Sequence, residues 1–432
     1  MTAAVPFDIA PEAFPLMLLY LDPGTGSLLF SIVMGFATAS FFVAKGLFYK
    51  LRARLGMGSG AAGEDTPAGL AIYSEGRQYA ALFRPILAGL ERRGIPCLYL
   101  SSDKDDPLLD GGFSNVSARC IGRGHAAWGY LNTLRADVCL MTTPGLDVMQ
   151  IRRSRHVRHY SHVIHSPTDK AFNRPYSFDY FDSVFICGPH QRQTLEYLEA
   201  LRRTPRKSLF LAGCVYYDEM LPAIGRLAPR SDGAPGTRVL VAPTWGKNGL
   251  LSRYGARLVR PLLEAGYQVV LRPHPQSALS EPDLLKALKR ELGDSPLLEW
   301  DEHPDPLAAM AGADLLISDI SGIVFDFAFL TEKPVLTVAF TPEKRGFEAN
   351  DLPYEPWELR VLDEIGGKIG EEDLECLSAL VERALSDSGR RASIRALRDE
   401  YVAHFGSSAE HVVDGLARLL TNAPPESGVR PA

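Results

Sequence analysis

Between residues 69 and 340, short β-branched runs alternate with stretches of helical period, and they do so in two rounds. The first round reads LAIYS near residue 70, CLYLS near 97, DVCLMTT near 138, YSHVIHS near 160, SVFICG near 183 and SLFLAG near 208. Amphipathic stretches such as QYAALFRPILAGLERRG lie between several of them. A parallel neighbour needs a crossover long enough to hold a helix, so this alternation predicts a parallel sheet covered by helices on both faces. The pattern breaks at 221–236, where Pro222, Pro229 and Pro235 stand among glycines and alanines and mark a crossing between domains. It restarts with TRVLVAPT, YQVVLRPH, PLLEW, DLLISD and KPVLTVAF, separated by helical segments at 249–265, 281–293, 304–312 and 322–331. Two last helical stretches follow near 373–386 and 389–422, and then a tail at 423–432. The expected fold is α/β, with two Rossmann-like, doubly wound domains at 69–220 and 237–422. They are expected to face each other across a cleft lined by strand carboxyl ends.

The N-terminal residues read differently. The run GSLLFSIVMGFATASFFVA at 26–44 carries no charge and is about as long as a hydrocarbon core requires. Asp8, Glu12 and Asp22 precede it, so it lacks the basic start of a cleaved signal peptide. Lys45, Lys50, Arg52 and Arg54 follow it directly. The expectation is a membrane anchor in 1–55 with one N-terminal transmembrane helix at about 26–44, then a Gly-rich linker at 56–68. Positive residues stay inside, so the protein is expected in the cell inner membrane with its catalytic domains in the cytoplasm. Over 432 residues, 46% hydrophobic and 23% charged composition suits two cores. The net charge of −6 supplies no overall basic field for nucleic acid. The six cysteines form no CxxC pair, which favours buried free thiols over a disulfide framework or zinc site.

Four stretches carry candidate chemistry. DLLISDISGIVFDFAFL at 314–330 ends a strand at Ser318 and Asp319 and opens a helix at Ile320 or Ser321. Ser318, Ser321 and Gly322 then set hydroxyls and backbone N–H groups at a helix N-terminus, where a pyrophosphate fits; plain helix capping is the competing reading. LRPHPQS at 271–277 puts Arg272 and His274 at a strand's carboxyl end, on a turn held extended by Pro273 and Pro275. In VAPTWGKNGLLSRYG at 241–255, Thr244, Lys247 and Ser252 are within reach of a phosphate. RRSRHVRHYSHVIHSPTDK at 152–170 carries histidines at 156, 159, 162 and 165. A strand sends His162 and His165 to opposite faces, so the four do not converge on a metal. His165, at the strand's end with Ser166 and Lys170 beyond it, is placed as a general base. The arginines of the run suit an anionic membrane surface or a polyanionic acceptor.

In order, VLVAPTW, LRPHP, LLISDISGIVFDFAFLTEKPVL and RGFEANDLPYEP at 345–356 resemble the CDP-glycerol glycerophosphotransferase family of teichoic-acid and capsule polymerases. The likeness covers roughly 160–360 and is strongest from 238 onward. It implies a GT-B fold and CDP-glycerol, or a related CDP-polyol, as donor. It also implies transfer of glycerol phosphate to the hydroxyl of a membrane-associated or polymeric acceptor with loss of CMP. No cofactor or metal is expected. His165 matches the base of the family's His-Gly-Thr-Pro motif and Lys170 the lysine after it. His274 and Arg272 match its Arg-Pro-His-Pro phosphate clamp, and Ser318, Asp319, Ser321 and Gly322 its Thr-Asp-Tyr-Ser-Ser donor loop. His165 and His274 are thus expected to be catalytic, and Lys170, Arg272, Thr244, Ser318, Asp319, Ser321 and Gly322 to bind substrate, with 69–220 as the acceptor domain and 237–422 as the nucleotide-donor domain. The sequence departs from the pattern at HSPTDK, which lacks the glycine after His165, and at Ile320, where the family has tyrosine. Two other readings stay open: a GT-B glycosyltransferase or nucleotide-sugar epimerase, and a non-catalytic membrane-anchored scaffold.

Overall fold

The computed structural model describes residues 67–227, 236–303, 305–319, 321–338 and 342–421, together with a few positions between 34 and 47. The chain divides into two compact units, 1–62 and 63–432. In the first unit Met34, Thr38, Ser40, Phe41, Val43, Ala44 and Leu47 are helical and exposed, and the Thr38 hydroxyl donates to the Met34 carbonyl at 2.7 Å. Most of the expected span at 26–44, and the linker up to residue 66, lie outside the described residues. Among the described residues no helix is long and apolar enough to cross a membrane.

The second unit holds two parallel sheets. The first contains β1 (Ala68–Ser74), β2 (Cys97–Ser101), β3 (Val116–Cys120), β4 (Ala136–Met141), β5 (Val157–Val163), β6 (Ser183–Ile186) and β7 (Ser208–Leu211), in spatial order β3-β2-β1-β4-β5-β6-β7. The second contains β8 (Arg238–Val241), β9 (Gln268–Leu271), β10 (Leu298–Trp300), β11 (Leu315–Ser318), β12 (Val335–Val338) and β13 (Gly366–Ile369), in order β10-β9-β8-β11-β12-β13. The inner strands are apolar on both faces: Val239, Leu240, Val241, Leu315, Leu316 and Ile317 are all fully buried. That is what helices on both sides of a parallel sheet demand. In each sheet the winding reverses beside the first strand, between β1 and β4 and again between β8 and β11. A crevice opens at such a point, outside the strand carboxyl ends.

The structure differs from the sequence reading in four places. The helix Val215–Arg226 runs through Pro222, so the crossing expected to begin at 221 begins after Arg226. β3 reads VSARC and is mostly exposed, and β13 reads GGKI, so neither carries an apolar β-branched signature. A side chain at Gly366 would put its Cβ 1.7 Å from the Val335 carbonyl oxygen, so glycine is what lets β13 close on β12. The stretch expected as one helix over 389–422 is two, Arg390–Tyr401 and Ser408–Thr421. The second of these leaves the second domain altogether. Its Val412, Val413 and Leu416 are buried in one cluster with Leu70, Phe83 and Leu87 of the first domain.

Buried polar contacts join the two sheets' domains. Arg202, at the end of the helix Pro189–Arg202, pairs with Asp179 at 3.0 Å, with Glu348, and with Asp351 at 2.9 Å. The last two belong to the 345–356 run, whose Glu348 and Ala349 amides donate to the carbonyls of Asn173 (2.9 Å) and Ala171 (2.7 Å). The Trp357 amide donates to Asp169 at 2.6 Å, and the Tyr217 hydroxyl to Asp326 at 2.9 Å. Buried charges are costly unless paired, and here carboxylates from both domains converge on one guanidinium.

Candidate functional site

The reversal in the second sheet gathers most of the expected donor residues. Thr244 follows β8 and Asp319 follows β11. The Asp319 carboxylate accepts from the Thr244 amide at 2.9 and 3.1 Å, the Thr244 hydroxyl at 3.0 Å and the Leu250 amide at 3.4 Å. Burial raises its pKa, and those bonds pull it back down. Ser318 is fully buried, and its hydroxyl donates to the Ala242 carbonyl at 2.6 Å. The side chains of Ser318 and Asp319 therefore shape the loop after β8. Glu281 holds the same loop from its far side, accepting from the Gly246 amide at 3.0 Å and the Ser252 hydroxyl at 2.7 Å.

Ser321 and Gly322 are arranged differently. Ser321 is the N-cap of the helix Gly322–Thr331, yet its side chain makes no capping bond, and Gly322 is exposed. The half-buried hydroxyl and the first-turn N–H groups stand at the positive end of a ten-residue helix. His274 caps the short helix Pro275–Ser280, and its Nδ1 accepts from the Gln276 amide at 3.1 Å. With Nδ1 accepting, the proton of the neutral ring sits on Nε2, which becomes a donor. Burial lowers the pKa of His274 and Asp319 counters it, so the neutral ring is the resident form near pH 7. The exposed Trp245 lies beside it, with ring centroids 6.5 Å apart. Arg272 is buried and pairs with Asp301 across the ends of β9 and β10 at 2.6 Å.

His165 follows β5 by two residues, at the carboxyl edge of the first sheet. The Thr142 hydroxyl donates to the Val163 carbonyl at 2.8 Å, and its oxygen lies 2.8 Å from His165 Nδ1. A hydroxyl has one hydrogen, so Thr142 accepts from the Nδ1–H. That leaves the lone pair on Nε2, the form a general base needs. Burial, aided by the charge of Lys170, pushes the pKa of His165 down to about 3, so the imidazole is neutral. His162 is buried and packs edge-on against Phe178 and Phe181.

Lys170 turns inward. It is buried, has a φ of 67°, and its ammonium donates to the Ser166 hydroxyl. Burial lowers its pKa, and Asp169 and Glu358 oppose that. Ser166, which stands where the resembled family has glycine, is thus the lysine's partner. Gln191 fixes the same loop through the carbonyls of Ser166 (3.0 Å) and Thr168 (2.7 Å).

Sequence reasoning missed Thr142 and a cavity of about 550 Å³ lined by residues including Tyr73, Glu75, Ser102, Arg123, Thr143 and Arg174. Its signal was Glu75 after the β1 run and Thr142–Thr143 after the β4 run. Both lie at carboxyl ends, but only the strand order makes them neighbours.

Residues 222–417 match the family described as CDP-glycerol:poly(glycerophosphate) glycerophosphotransferase. This segment, a little under half of the chain, contains the whole second sheet, and over it the chain is similar to that family of enzymes. No curated protein matches it. Among solved structures it is similar to a putative UDP-N-acetylglucosamine 2-epimerase from Listeria monocytogenes, at 13% identity, 84% of this chain, 99% of that one and a TM-score of 0.56. UDP-GlcNAc 2-epimerase from Neisseria meningitidis, bound to UDP-GlcNAc, matches at 14% identity, 81% and 99% coverage and a TM-score of 0.53. These likenesses show the fold, two GT-B-like parallel-sheet domains. The wall teichoic acid polymerase TagF matches at 16% identity, 82% and 89% coverage and a TM-score of 0.47, too loose to carry an argument.

Proposed function

We propose that this protein transfers glycerol phosphate, or a similar polyol phosphate, from a CDP-linked donor to an acceptor hydroxyl in the synthesis of a cell-surface polymer of teichoic-acid or capsule type. The family match over 222–417 carries this reading. The Ser321 hydroxyl, the Gly322 N–H and His274 Nε2, near the β8/β11 reversal, supply chemistry suited to a pyrophosphate. In the transfer, the acceptor oxygen bonds to the phosphorus carrying the glycerol, and the bond from that phosphorus to the CMP oxygen breaks. The acceptor proton passes to His165 Nε2. Charge gathering on the departing phosphate is met by His274 and by the helix N-terminus.

Replacing each histidine separates the roles. His165→Ala should cut turnover with CDP-glycerol by about 100-fold or more, while CMP affinity is kept. His274→Ala should cut turnover and also loosen CMP. Loss of CMP by the His165 variant with retention by the His274 variant would reverse the assignment of donor and acceptor domains. Thermal stabilisation of the wild type by UDP-GlcNAc but not by CDP-glycerol would put a sugar-nucleotide enzyme in its place.

The uncharged run at 26–44 and the four basic residues after it support a single-pass anchor in the inner membrane, with both catalytic domains cytoplasmic and near a membrane-associated acceptor. A reporter fused after Ala432 should be active only in the cytoplasm. Activity on the outer side would refute the orientation.

A further inference from the structure

We propose that Asp169 and Glu358 share one proton across the joint between the two sheets' domains, and that this clasp positions His165. The positioning role rests on the transfer reading above, whereas the shared proton stands on the joint itself. Asp169 belongs to the loop 165–170 that carries the base, and Glu358 follows the 345–356 run of the second domain. Both side chains are buried, and their carboxyl groups are hydrogen-bonded to each other. Such a bond needs a hydrogen, so one of the two carboxyls is protonated.

Their other contacts decide which. Asp169 accepts from the Trp357 amide at 2.6 Å and the Ala171 amide at 3.2 Å, bonds that favour its ionised form. Glu358 Oε1 is buried without a hydrogen-bond partner among the described residues. A carboxylate ionised there would carry a large desolvation cost, so the proton sits on Glu358 and is donated to Asp169. In agreement, burial and the neighbouring Asp169 raise the pKa of Glu358 well above the ordinary carboxyl value, with Lys170 opposing.

The base's loop is shaped within its own domain. Gln191 Nε2 holds the carbonyls of Ser166 and Thr168, and His190 Nε2 holds that of Pro167 at 2.5 Å. Asp169 ties this loop to the other domain, and so sets where His165 stands relative to a donor held there. A misplacement of about 1 Å in such a geometry can cost roughly 100-fold in rate. A group raised on folding contributes fully below its unfolded pKa and loses that contribution as pH rises through the folded one. The clasp should therefore fail on the alkaline side, where two carboxylates meet with Lys170 as the nearby cation. His190 and Asp326, packed around the same lysine, titrate at about 4 and about 6. Burial raises Cys214, Tyr354 and Tyr401 above their ordinary values, and Cys187 and Arg360 complete the surround. Burial lowers Lys170 itself, and replacing Glu358 separates its titration from that of the pair.

The test follows the full chain from pH 6 to 10 with CDP-glycerol as donor and a synthetic glycerol phosphate trimer as acceptor. Wild-type kcat should fall about 10-fold as the pair loses its proton, while the KM of CDP-glycerol holds. Glu358→Ala should lose a comparable factor already at pH 7. Glu358→Gln, whose amide donates to Asp169 at every pH, should restore kcat at pH 7 and abolish the alkaline fall. It also keeps the test decisive if Glu358→Ala folds poorly. Without ligands, the urea midpoints of the wild type and Glu358→Gln should diverge as pH rises, with the wild type the lower. No alkaline fall in the wild type, a fall that survives in Glu358→Gln, or a midpoint difference that ignores pH would each overturn the proposal. So would a loss in Glu358→Ala confined to the KM of CDP-glycerol. Diverging midpoints in a wild type inactive with every CDP-polyol would uphold the shared proton and reject the transfer reading.

Discussion

Asp326 is a carboxylate with one hydrogen bond among the described residues, from the Tyr217 hydroxyl, inside the contact between the two sheets' domains. Burial lifts its pKa from 3.8 to about 6, against the pull of Tyr217 and Lys170. A group raised on folding contributes stability that is complete below its unfolded pKa and lost as pH rises through the folded one. Ionised at pH 7, Asp326 therefore costs on the order of 3 kcal/mol relative to pH below 4. Asp326→Asn keeps an oxygen for Tyr217 and removes the charge, so its urea midpoint should exceed the wild type's at pH 7.5. The difference should close as the pH approaches 4, and a constant difference across that range would show that Asp326 does not titrate as described. His165 runs the other way. Its pKa of about 3 lies below the ordinary 6.5, so its stabilising contribution is full above 6.5 and fades as pH falls toward 3. A neutral base is thereby ready at physiological pH. It is a weak one until a bound phosphate offsets the burial and the Lys170 charge that depress it.

The helix Ser408–Thr421 reaches the first sheet through glycines in the elements it touches. Gly213 has a φ of 90°, and a Cβ there would lie 2.0 Å from the Ala403 carbonyl oxygen; a Cβ at Gly415 would lie 2.4 Å from the Phe185 ring. Gly213→Ala should cost roughly 1–3 kcal/mol from backbone strain alone, more with the clash. Protease should then cut between the last two helices at concentrations the wild type resists, and equal resistance would show that the contact is not what holds the helix. Close approaches of this kind are invisible in sequence because the partners lie some two hundred residues apart. Strands buried on both faces, such as β8 and β11, were legible because nothing polar interrupts them. β3 and β13 were not, since an exposed edge strand and a diglycine need no apolar run. His165, Arg272 and His274 could be found as polar residues at strand ends. The inward turn of Lys170, the commitment of Ser318 and Asp319 to a loop, and the role of Thr142 all depend on which strands are neighbours.

At the scale of the molecule, the 345–356 run that helped carry the family resemblance also has an architectural role. It brings Glu348 and Asp351 to the same buried guanidinium that holds Asp179 of the first domain. Removing Arg202 would leave three carboxylates without their shared cation, a defect spread over both domains. The return of the last helix has a related consequence for dividing this chain. The stretch matched by the family, 222–417, begins inside the helix Val215–Arg226 and stops inside the helix Ser408–Thr421. Excised at those limits, it would lose the first sheet and present Val412, Val413 and Leu416 to water. What is inherited as a recognisable segment is smaller than what folds as a body, and a fragment cut to the limits of resemblance would aggregate through its own C-terminal helix.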